Sequence, residues 1–516
     1  MKGFFLIITC FIYCQLLGQQ VRLISADMNK PAGPLKTVFN ECVGAGRANE
    51  GLRADWQQQL AMTKKECGFR YIRFHGILSD DMGVYQEDSH GQPIYNWQYV
   101  DQLYDFLLSI KVKPFIELSF MPNALKSTDQ TIFWWKGNVS QPSSYKKWAE
   151  LIKQMVKHLE ARYGRKEVAL WYFEVWNEPN LTHFFAGTQS DYFNLYKITT
   201  EAIKEVFSGY RVGGPATAGS KWITELITYC ADNHVPIDFI ATHEYGVDGL
   251  GLDVAGTKLV RLRDDPDNII KKVAMIKDKI SKSVYPKLEL HMTEWNSSWA
   301  PKDPFHQTYQ QAAYVLNTIK GTEGLANSMS YWTFTDIFEE GGPVLYPFSG
   351  SFGLINFQGI KKPVYDAYKY LNELSPIELK NTDKSSWVCR SSKGDAQILF
   401  WDFSQADQGK APDQEYYRNI LPPKPGGKVV VNLKNIPNGK YRLVVNQTGY
   451  QHNDVYTSYL RMGTPEQLSV EQVIRLKHAG NGLPIVDKEI IISNHEFSTN
   501  YTMNQNDVYF IKLIRR

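Results

Sequence analysis

WYFEVWNEP, residues 171–179, is a short β-rich run that ends in polar residues, and it is one of eight such runs between residues 39 and 336. Amphipathic stretches separate the runs, with apolar residues recurring three and four positions apart as on one face of a helix. The other seven runs are FNECVGAG (39–46), YIRFHG (71–76), KPFIELSF (113–120), YRVGGPA (210–216), DFIATHEYG (238–246), LELHMTEW (288–295) and SMSYWTFTD (328–336). Eight strands alternating with helices predict an α/β fold, a closed (β/α)8 TIM barrel, whose functional side chains lie at the carboxyl ends of the strands.

The sequence after residue 375 has a different pattern. Alternating or β-branched runs such as KVVVNL (428–433) are broken by Pro/Gly-rich turns such as PPKPGG (422–427). No crossover helices are evident there, which favours an accessory C-terminal β-sandwich. We therefore predict a catalytic barrel over residues 39–375 and a sandwich over 376–516, with residues 20–38 adding a leader strand to the sandwich.

The N-terminal segment, residues 1–19, is typical of a signal peptide. One Lys precedes an apolar run from Phe4 to Tyr13 that is too short to span a bilayer. We expect export to the periplasm or the medium after its removal, with lipid anchoring as the alternative. No later stretch of about 20 residues is apolar enough to cross a membrane, so no membrane span is predicted.

The charge balance excludes one class of partner. Lys and Arg number 57 against 54 Asp and Glu, a net charge of +3, so no large basic field is available to bind nucleic acid. The 13 Trp, 30 Tyr and 26 Phe residues are enough for a large core and leave aromatic rings for a binding surface. The oligomeric state is left open by the sequence.

Cysteine usage and motif spacing give no sign of a metal or cofactor. The four cysteines after residue 19 are widely spaced and form no C-x-x-C pair, which argues against a zinc or redox motif. Cys42 and Cys67 could pair, or all four could be small buried hydrophobes. No Gly-rich phosphate loop is visible, and we expect neither a metal nor a cofactor.

Two carboxylates stand at matching strand ends. Glu178 closes the fourth run within Asn-Glu-Pro, and Glu294 closes the seventh beside Trp295. Cleavage of a glycosidic bond needs one carboxyl group to protonate the leaving oxygen and another to stabilise or attack the anomeric carbon, and a separation of about 5–5.5 Å makes the second a nucleophile. The pair predicts a retaining glycoside hydrolase acting on oligosaccharides. The alternative for each Glu is a structural role as a helix cap or a partner of Arg.

Several runs together resemble glycoside hydrolase family 39, which contains β-xylosidases and α-L-iduronidases. The resemblance covers residues 21–375 and is carried by CVGAGRANEGLRADWQQQL, YIRFHGILSDDMGVY, WYFEVWNEPNL, THEYG, MTEWNSS and YWTFTDIFEE, followed by FGLIN. It implies that Glu178 is the general acid/base and Glu294 the nucleophile. Acid function requires a raised pKa, for which partial burial and the charge of the second carboxylate are the natural means.

The resemblance also implies a set of substrate-binding residues. Asn177 is expected to bind the sugar 2-hydroxyl, Tyr245 to orient the nucleophile and Trp332 to stack under the sugar ring. The full set is His75, Gly76, Asn177, His243, Tyr245, Trp332, Glu339 and Glu340. A Gly follows Tyr245 where Pro is common in the family. Alternatives stay open: one of the two final Glu residues could only face solvent, and the aromatic run at 133–135 could wall the site or merely seal a helix.

The loop after strand eight bears on the substrate. DIFEEGGPVLYPFSGSFG (336–353) contains two Glu and no Lys or Arg, so it would repel a uronate carboxylate. This favours a xyloside over an iduronide. Together with the resemblance it leads us to expect an exo-acting β-xylosidase that releases terminal xylose from the non-reducing end of plant-type oligosaccharides, whereas the loop closure that separates exo from endo action is left open by the sequence. The alternatives are a family 39 hydrolase of another terminal sugar (arabinoside, glucoside, galactoside or iduronide) and a barrel that binds carbohydrate without cleaving it.

Overall fold

The computed structural model describes residues 21–516, so the signal peptide predicted for residues 1–19 lies outside the described residues. Eight parallel strands close into one barrel, and each overlaps one of the eight runs predicted from the sequence. The (β/α)8 prediction is confirmed. In chain order the barrel strands are Cys42–Arg47, Tyr71–His75, Lys113–Glu117, Tyr172–Glu174, Arg211–Ala218, Phe239–Tyr245, Glu289–Asn296 and Ser328–Tyr331.

Eight helices surround the barrel and follow its strands. The third shows why they form: the Ser144 side chain accepts a hydrogen bond from the backbone N–H of Lys147 at its start, its apolar face is buried, and Gly164 ends it with φ +82°. The eight are Ala54–Cys67, Gln98–Ser109, Tyr145–Tyr163, Gln189–Val206, Ile223–Asp232, Asn268–Ser281, Gln310–Gly321 and Pro363–Asn372.

The loops of the barrel contain short strands and helical turns. They include three two-stranded hairpins, a helical turn over Arg165–Val168 and several 3-10 turns. The hairpins pair Tyr85–Glu87 with Pro93–Tyr95, Thr131–Ile132 with Gly137–Asn138, and Val247–Leu252 with Lys258–Leu262. The 3-10 turns are Val38–Asn40, Ala48–Leu52, Asp80–Met82, Asn123–Leu125 and Pro304–Gln307.

Two further sheets lie outside the barrel and pack their apolar faces on each other, with Ile24, Val431, Ile398 and Ile511 in one shared core. The larger has the strand order Pro31–Pro34, Ile377–Leu379, Ser386–Arg390, Ala396–Trp401, Val508–Arg515, Gly439–Thr448, Val486–Ile492. The smaller has the order Arg22–Asp27, Pro425–Lys434, Glu496–Asn504. Both therefore contain a strand from the segment that precedes the barrel.

The accessory domain also contains helices that the sequence analysis did not predict. Besides a helical turn over Asp413–Tyr416, two helices, Val455–Arg461 and Val470–Ala479, connect neighbouring strands of the larger sheet. Their buried Tyr456, Tyr459 and Leu476 pack with Phe348 from the loop after barrel strand eight. The helices are too short for a strong periodic signal, and their apolar contacts come from a distant part of the chain.

The structure also tests the predictions about a membrane span and about a disulfide. Within residues 21–516 no helix is both long and apolar enough to span a bilayer. The cysteines of the same part of the chain, Cys42, Cys67, Cys230 and Cys389, are all buried and free, so Cys42 and Cys67 do not form a disulfide.

Candidate active site

Strand alternation builds the interior of the barrel in layers. Tyr71, Phe115, Tyr172 and Phe239 form an apolar cluster across the barrel. Side chains two residues further along a strand point the same way, one layer higher. From the second, third and fourth strands these are Arg73, Glu117 and Glu174, all fully buried. The charged layer is therefore the floor of a pocket that opens at the carboxyl ends of the strands.

Arg73 holds this floor together. Its Nε lies 2.7 Å from Glu174 Oε2, and its Nη2 lies 2.8 Å from both Glu117 Oε2 and the Asn177 side-chain oxygen. Its Nη1 donates to Glu294 Oε1 over 2.5 Å. A buried guanidinium is retained only when several acceptors satisfy its planar fork of donors, and here the acceptors come from three different strands or their ends. Arg73 therefore fixes the position of one oxygen of Glu294.

Glu294 faces the pocket because strand seven is irregular. His291, three residues earlier, packs inside the barrel on Phe115, Tyr172 and Phe239. Regular alternation would turn Glu294 outward, but the pairing with strand six shifts between Met292 and Glu294, so that Glu294 pairs with His243. Such a bulge redirects the side chains that follow it. The second oxygen of Glu294 accepts a 2.7 Å hydrogen bond from the Tyr245 hydroxyl.

Glu178 reaches the pocket from a tight turn after strand four. Trp176 and Glu178 both have left-handed backbone conformations, with φ +72° and +43°, and the Glu178 N–H donates to Ala216 O over 2.8 Å. A Glu178 carboxylate oxygen lies within 4.8 Å of one of Glu294. Burial raises the pKa of Glu178 to about 7, although the positive charges of His75 and Arg73 partly oppose this shift. Glu178 can thus hold a proton near neutral pH.

His243 and Tyr245, at the end of strand six, lie between the two glutamates. His243 Nδ1 is 2.9 Å from Glu178 Oε1 and 3.5 Å from Glu294 Oε2. Burial lowers the pKa of His243 to about 3, so its ring is neutral. Burial also raises the pKa of Tyr245 well above its ordinary value, so its hydroxyl keeps its proton and donates a hydrogen bond to Glu294. Both residues stand where the sequence predicted.

His75 forms the side of the pocket opposite strand six. Its Nδ1 is 2.7 Å from Glu117 Oε2, and its Nε2 is 3.4 Å from Glu340 Oε1. Burial lowers the pKa of His75, but attraction to Glu117 and hydrogen bonds to Glu117 and Glu340 outweigh it and raise the pKa to about 10. His75 is therefore a cation at neutral pH and offers a charged donor at the edge of the cavity.

Asn177 and Trp332 line the same cavity. Because the Asn177 oxygen accepts from Arg73, its amide nitrogen faces away from the floor, and no acceptor within residues 21–516 takes up its hydrogens. The centroid of the Trp332 ring lies 4.9 Å from that of the His75 ring. Glycine at position 44 leaves room for the indole, since a Cβ there would lie 2.5 Å from it. At Gly76, with φ +72°, a Cβ would meet Ser79 and Trp135.

The two glutamates after strand eight are placed differently. Glu340 reaches the pocket through its contact with His75. Both oxygens of Glu339 are instead held by cations, Arg47 at 2.6 Å and Arg53 at 3.1 Å. Of the two, only Glu340 is brought into contact with another predicted site residue. Glu339 ties the loop after strand eight to the loop after strand one.

The aromatic run after strand three covers the pocket. Phe133 stacks on His75 with ring centroids 5.7 Å apart, and Trp135 packs against Gly76. The backbone N–H of Trp134 donates to Glu340 O over 2.7 Å, while its ring remains 58% exposed. This bond links the loops after strands three and eight above strands one and two. The run walls the site, which decides between the two alternatives left open by the sequence.

One set of side chains also meets a distance condition for metal binding. Glu178, His243 and Glu294 each offer one ligand atom within 4.8 Å of the others. The Arg73 guanidinium already pairs with Glu294 and its positive charge opposes a divalent cation. Two carboxyl groups held by different partners, Glu178 by His243 and Glu294 by Arg73 and Tyr245, are instead suited to acid/base and nucleophilic chemistry.

Sequence reasoning did not identify Arg73 or Arg47 as functional residues. A signal for Arg73 was present, because in YIRFH it shares one strand face with His75 two positions later. A charged residue inside a barrel strand needs buried partners, and Glu117 and Glu174 supply them. No comparable pattern points to Arg47, whose partners Asp81 and Glu339 lie far apart in the chain.

Comparisons with known proteins identify relatives over most of the chain. A β-xylosidase from Caldicellulosiruptor saccharolyticus is 40% identical over 463 residues, 89% of this chain and 91% of that protein. A β-xylosidase from Geobacillus stearothermophilus is 36% identical over 451 residues, 86% of each chain. The crystal structure of a monomeric β-xylosidase from Caulobacter crescentus superposes with a TM-score of 0.93 at 40% identity, covering 96% of this chain and all of that one.

The sequence model of Glycosyl hydrolases family 39 matches residues 22–489, which include the barrel and most of the accessory β domain. The match spans every residue of the pocket described above. This chain therefore belongs to family 39 of the glycosyl hydrolases.

Proposed function

We propose that this enzyme is a retaining exo-β-xylosidase in which Glu294 is the nucleophile and Glu178 the general acid/base. The observation that carries the proposal is the approach of the two carboxylates to within 4.8 Å in a buried pocket. Retaining glycosidases keep their carboxyl groups about 5–5.5 Å apart, whereas inverting enzymes need about 6.5–9.5 Å to admit a water molecule. The spacing here supports attack by carboxylate.

In the first step, a Glu294 oxygen forms a bond to the anomeric carbon while the bond from that carbon to the leaving oxygen breaks. Glu178 gives its proton to that oxygen, so the aglycone departs as a neutral alcohol. Arg73 and Tyr245 hold the Glu294 oxygens during the attack through hydrogen bonds of 2.5 and 2.7 Å. The product is a xylosyl ester of Glu294, with configuration inverted once.

In the second step, water attacks the anomeric carbon of this ester. The Glu178 carboxylate takes a proton from that water, the carbon–oxygen bond to Glu294 breaks, and xylose leaves with its original configuration. Loss of the Glu294 charge in the ester removes a negative charge near Glu178 and so eases ionisation of Glu178 for this role. The Asn177 amide donates to the sugar 2-hydroxyl, a contact that strengthens as positive charge grows on the anomeric carbon.

Exo action is supported by the closed side of the pocket. The Trp134 to Glu340 backbone bond joins two loops over strands one and two, and Phe133 and Trp135 fill the space beneath. A chain that continued beyond the terminal sugar on this side would meet the bridge. A terminal sugar therefore fits, with its leaving group directed toward Glu178.

A xyloside fits the charges of the pocket better than an iduronide does. A uronate needs an available cation, ideally a bidentate Arg. Arg73 and Arg47 are both already paired with carboxylates, and His75 is paired with Glu117 and Glu340. The related β-xylosidases support the same choice.

A panel of 4-nitrophenyl glycosides tests the substrate. We expect the β-xyloside to have the highest kcat/KM among the xyloside, arabinoside, glucoside, galactoside and iduronide, because Arg73, Arg47 and His75 are already paired with carboxylates and would bind a uronate poorly. Proton NMR should show β-xylose as the first product, before mutarotation. First appearance of the α anomer would overturn the retaining mechanism, and a higher kcat/KM on another sugar would overturn the xyloside assignment.

The acid role of Glu178 predicts a falling limb in the pH profile. With a pKa of about 7, Glu178 is protonated below that pH and ionised above it. For a substrate with a poor leaving group, such as xylobiose, kcat/KM should therefore fall as pH rises through about 7. The 2,4-dinitrophenyl xyloside needs no proton and should lack this limb. An equal limb for both substrates would point to another group, and buried Glu174, also with a pKa of about 7, is the nearest candidate.

A further inference from the structure

A hairpin after barrel strand six stands beside the catalytic pocket. Its strands, Val247–Leu252 and Lys258–Leu262, follow directly on the strand that carries His243 and Tyr245. Both strands of the hairpin rest on Trp299 from the loop after strand seven. A Cβ at Gly249 would lie 3.4 Å from the indole, and Lys258 Nζ lies 5.4 Å from the ring centroid.

Lys258 differs from the two arginines that follow it in and just after the hairpin. Arg263 pairs with Asp248 at 2.9 Å, and Arg261 lies 3.6 Å from Asp264 and donates to Gly409 O. Lys258 is exposed and has no ion pair or side-chain hydrogen bond anywhere in residues 21–516. Its ammonium group is therefore available to a ligand.

The fold places Lys258 at the end of the barrel where the pocket opens, because its hairpin follows strand six and Trp299 follows strand seven, the strands that carry Tyr245 and Glu294. Burial dominates the pKa shifts of Glu178, Glu340 and His183, but the Lys258 charge contributes to all three and lowers each pKa. These groups belong to the loops after strands four and eight, and exposed charges act only over about 10 Å at ordinary ionic strength. The ammonium group therefore lies at the carboxyl end of the barrel, on the side of strands six and seven, and its charge reaches the groups of the pocket.

We propose that Lys258, supported on Trp299, forms an aglycone site that favours xylosides whose leaving group carries a carboxylate, such as a sugar bearing a uronic acid. The site rests on the proposed xylosidase function and extends it to the leaving group. In the pocket for the terminal sugar, Arg73, Arg47 and His75 are paired with carboxylates, which favours a neutral sugar. Lys258 has no such partner, so it favours a leaving group with a negative charge. Trp299 adds apolar surface beside the ammonium group.

Two matched substrates test the site: 4-(carboxymethyl)phenyl β-xyloside and its neutral amide, 4-(carbamoylmethyl)phenyl β-xyloside. Their leaving groups have similar size and acidity, so the ratio of their kcat/KM values isolates the charge. Lys258→Met should lower the carboxylate-to-amide ratio about three- to fivefold, the scale of one exposed ion pair. Lys258→Glu should lower it further, and added salt should reduce the preference of the native enzyme.

Lys287→Met removes the same charge from an exposed position just before strand seven, at the opposite end of the barrel, and should leave the ratio at its native value. An unchanged ratio in Lys258→Met would overturn the aglycone site. The same holds if both substrates slow equally, because a displaced hairpin would lower both kcat/KM values without changing their ratio. Native enzyme that cleaves neither xyloside would overturn the xylosidase function and this site with it. Turnover of both with no charge preference would overturn the site alone.

Discussion

We expect Glu294→Gln to lower kcat/KM on aryl β-xylosides by at least about 10⁴-fold, the scale of loss when an enzyme loses its nucleophile. Glutamine has nearly the same shape, but its amide is uncharged and a poor nucleophile. Arg73 and Tyr245 both donate hydrogen bonds to Glu294, so an amide nitrogen would also face one of these donors. Steady-state rates with 2,4-dinitrophenyl β-xyloside measure the loss without a contribution from proton donation.

The covalent intermediate offers an independent measurement. A 2-fluoro-xyloside with a good leaving group should form a stable ester with the native enzyme, located on the peptide that contains Glu294 by mass spectrometry. Glu289→Gln is a matched control, because Glu289 lies at the other end of the same strand with a 40% exposed side chain. It should retain activity and labelling. Labelling of a different residue, or retention of more than a small fraction of activity by Glu294→Gln, would contradict the assignment.

The barrel was predictable from the sequence because its signals are local. Each strand is a short run of β-forming residues between amphipathic stretches, and eight such units leave few other arrangements. The helices Val455–Arg461 and Val470–Ala479 were not predicted, since each is held by contacts with residues distant in the chain, including Phe348. Local periodicity therefore predicted the repeated strands and helices of the barrel and missed the two single helices of the accessory domain.

The candidate site shows the same limit at the level of single residues. The position of Glu294 at the end of strand seven was readable, but its direction depends on the bulge that shifts its pairing with His243. No residue type in the sequence predicts that bulge, because it arises from the register between two strands. Likewise, the adjacent Glu339 and Glu340 look equivalent in sequence, and only the positions of Arg47, Arg53 and His75 separate them.

We expect Glu178→Ala to slow different substrates to different degrees. The xylose unit that leaves from xylobiose departs as an alkoxide unless its oxygen is protonated. The kcat/KM for xylobiose should therefore fall about 10²–10⁴-fold, the usual contribution of a general acid. The first step with 2,4-dinitrophenyl xyloside needs no proton and should nearly keep its rate. Release of xylose still requires the missing base, so the ester of Glu294 should accumulate, seen as a burst of dinitrophenol followed by slow turnover with a low KM.

Azide then separates the roles of the two glutamates, because it attacks the anomeric carbon without needing a base. With Glu178→Ala, azide should enter the space left by the carboxylate, speed the decomposition of the ester and give β-xylosyl azide. With Glu294→Ala, azide can replace only the nucleophile and should give the α anomer. These products follow from the placement of Glu178 and Glu294 on opposite sides of the anomeric carbon. Equal losses on both substrates for Glu178→Ala, or α-xylosyl azide as its product, would contradict the acid/base assignment.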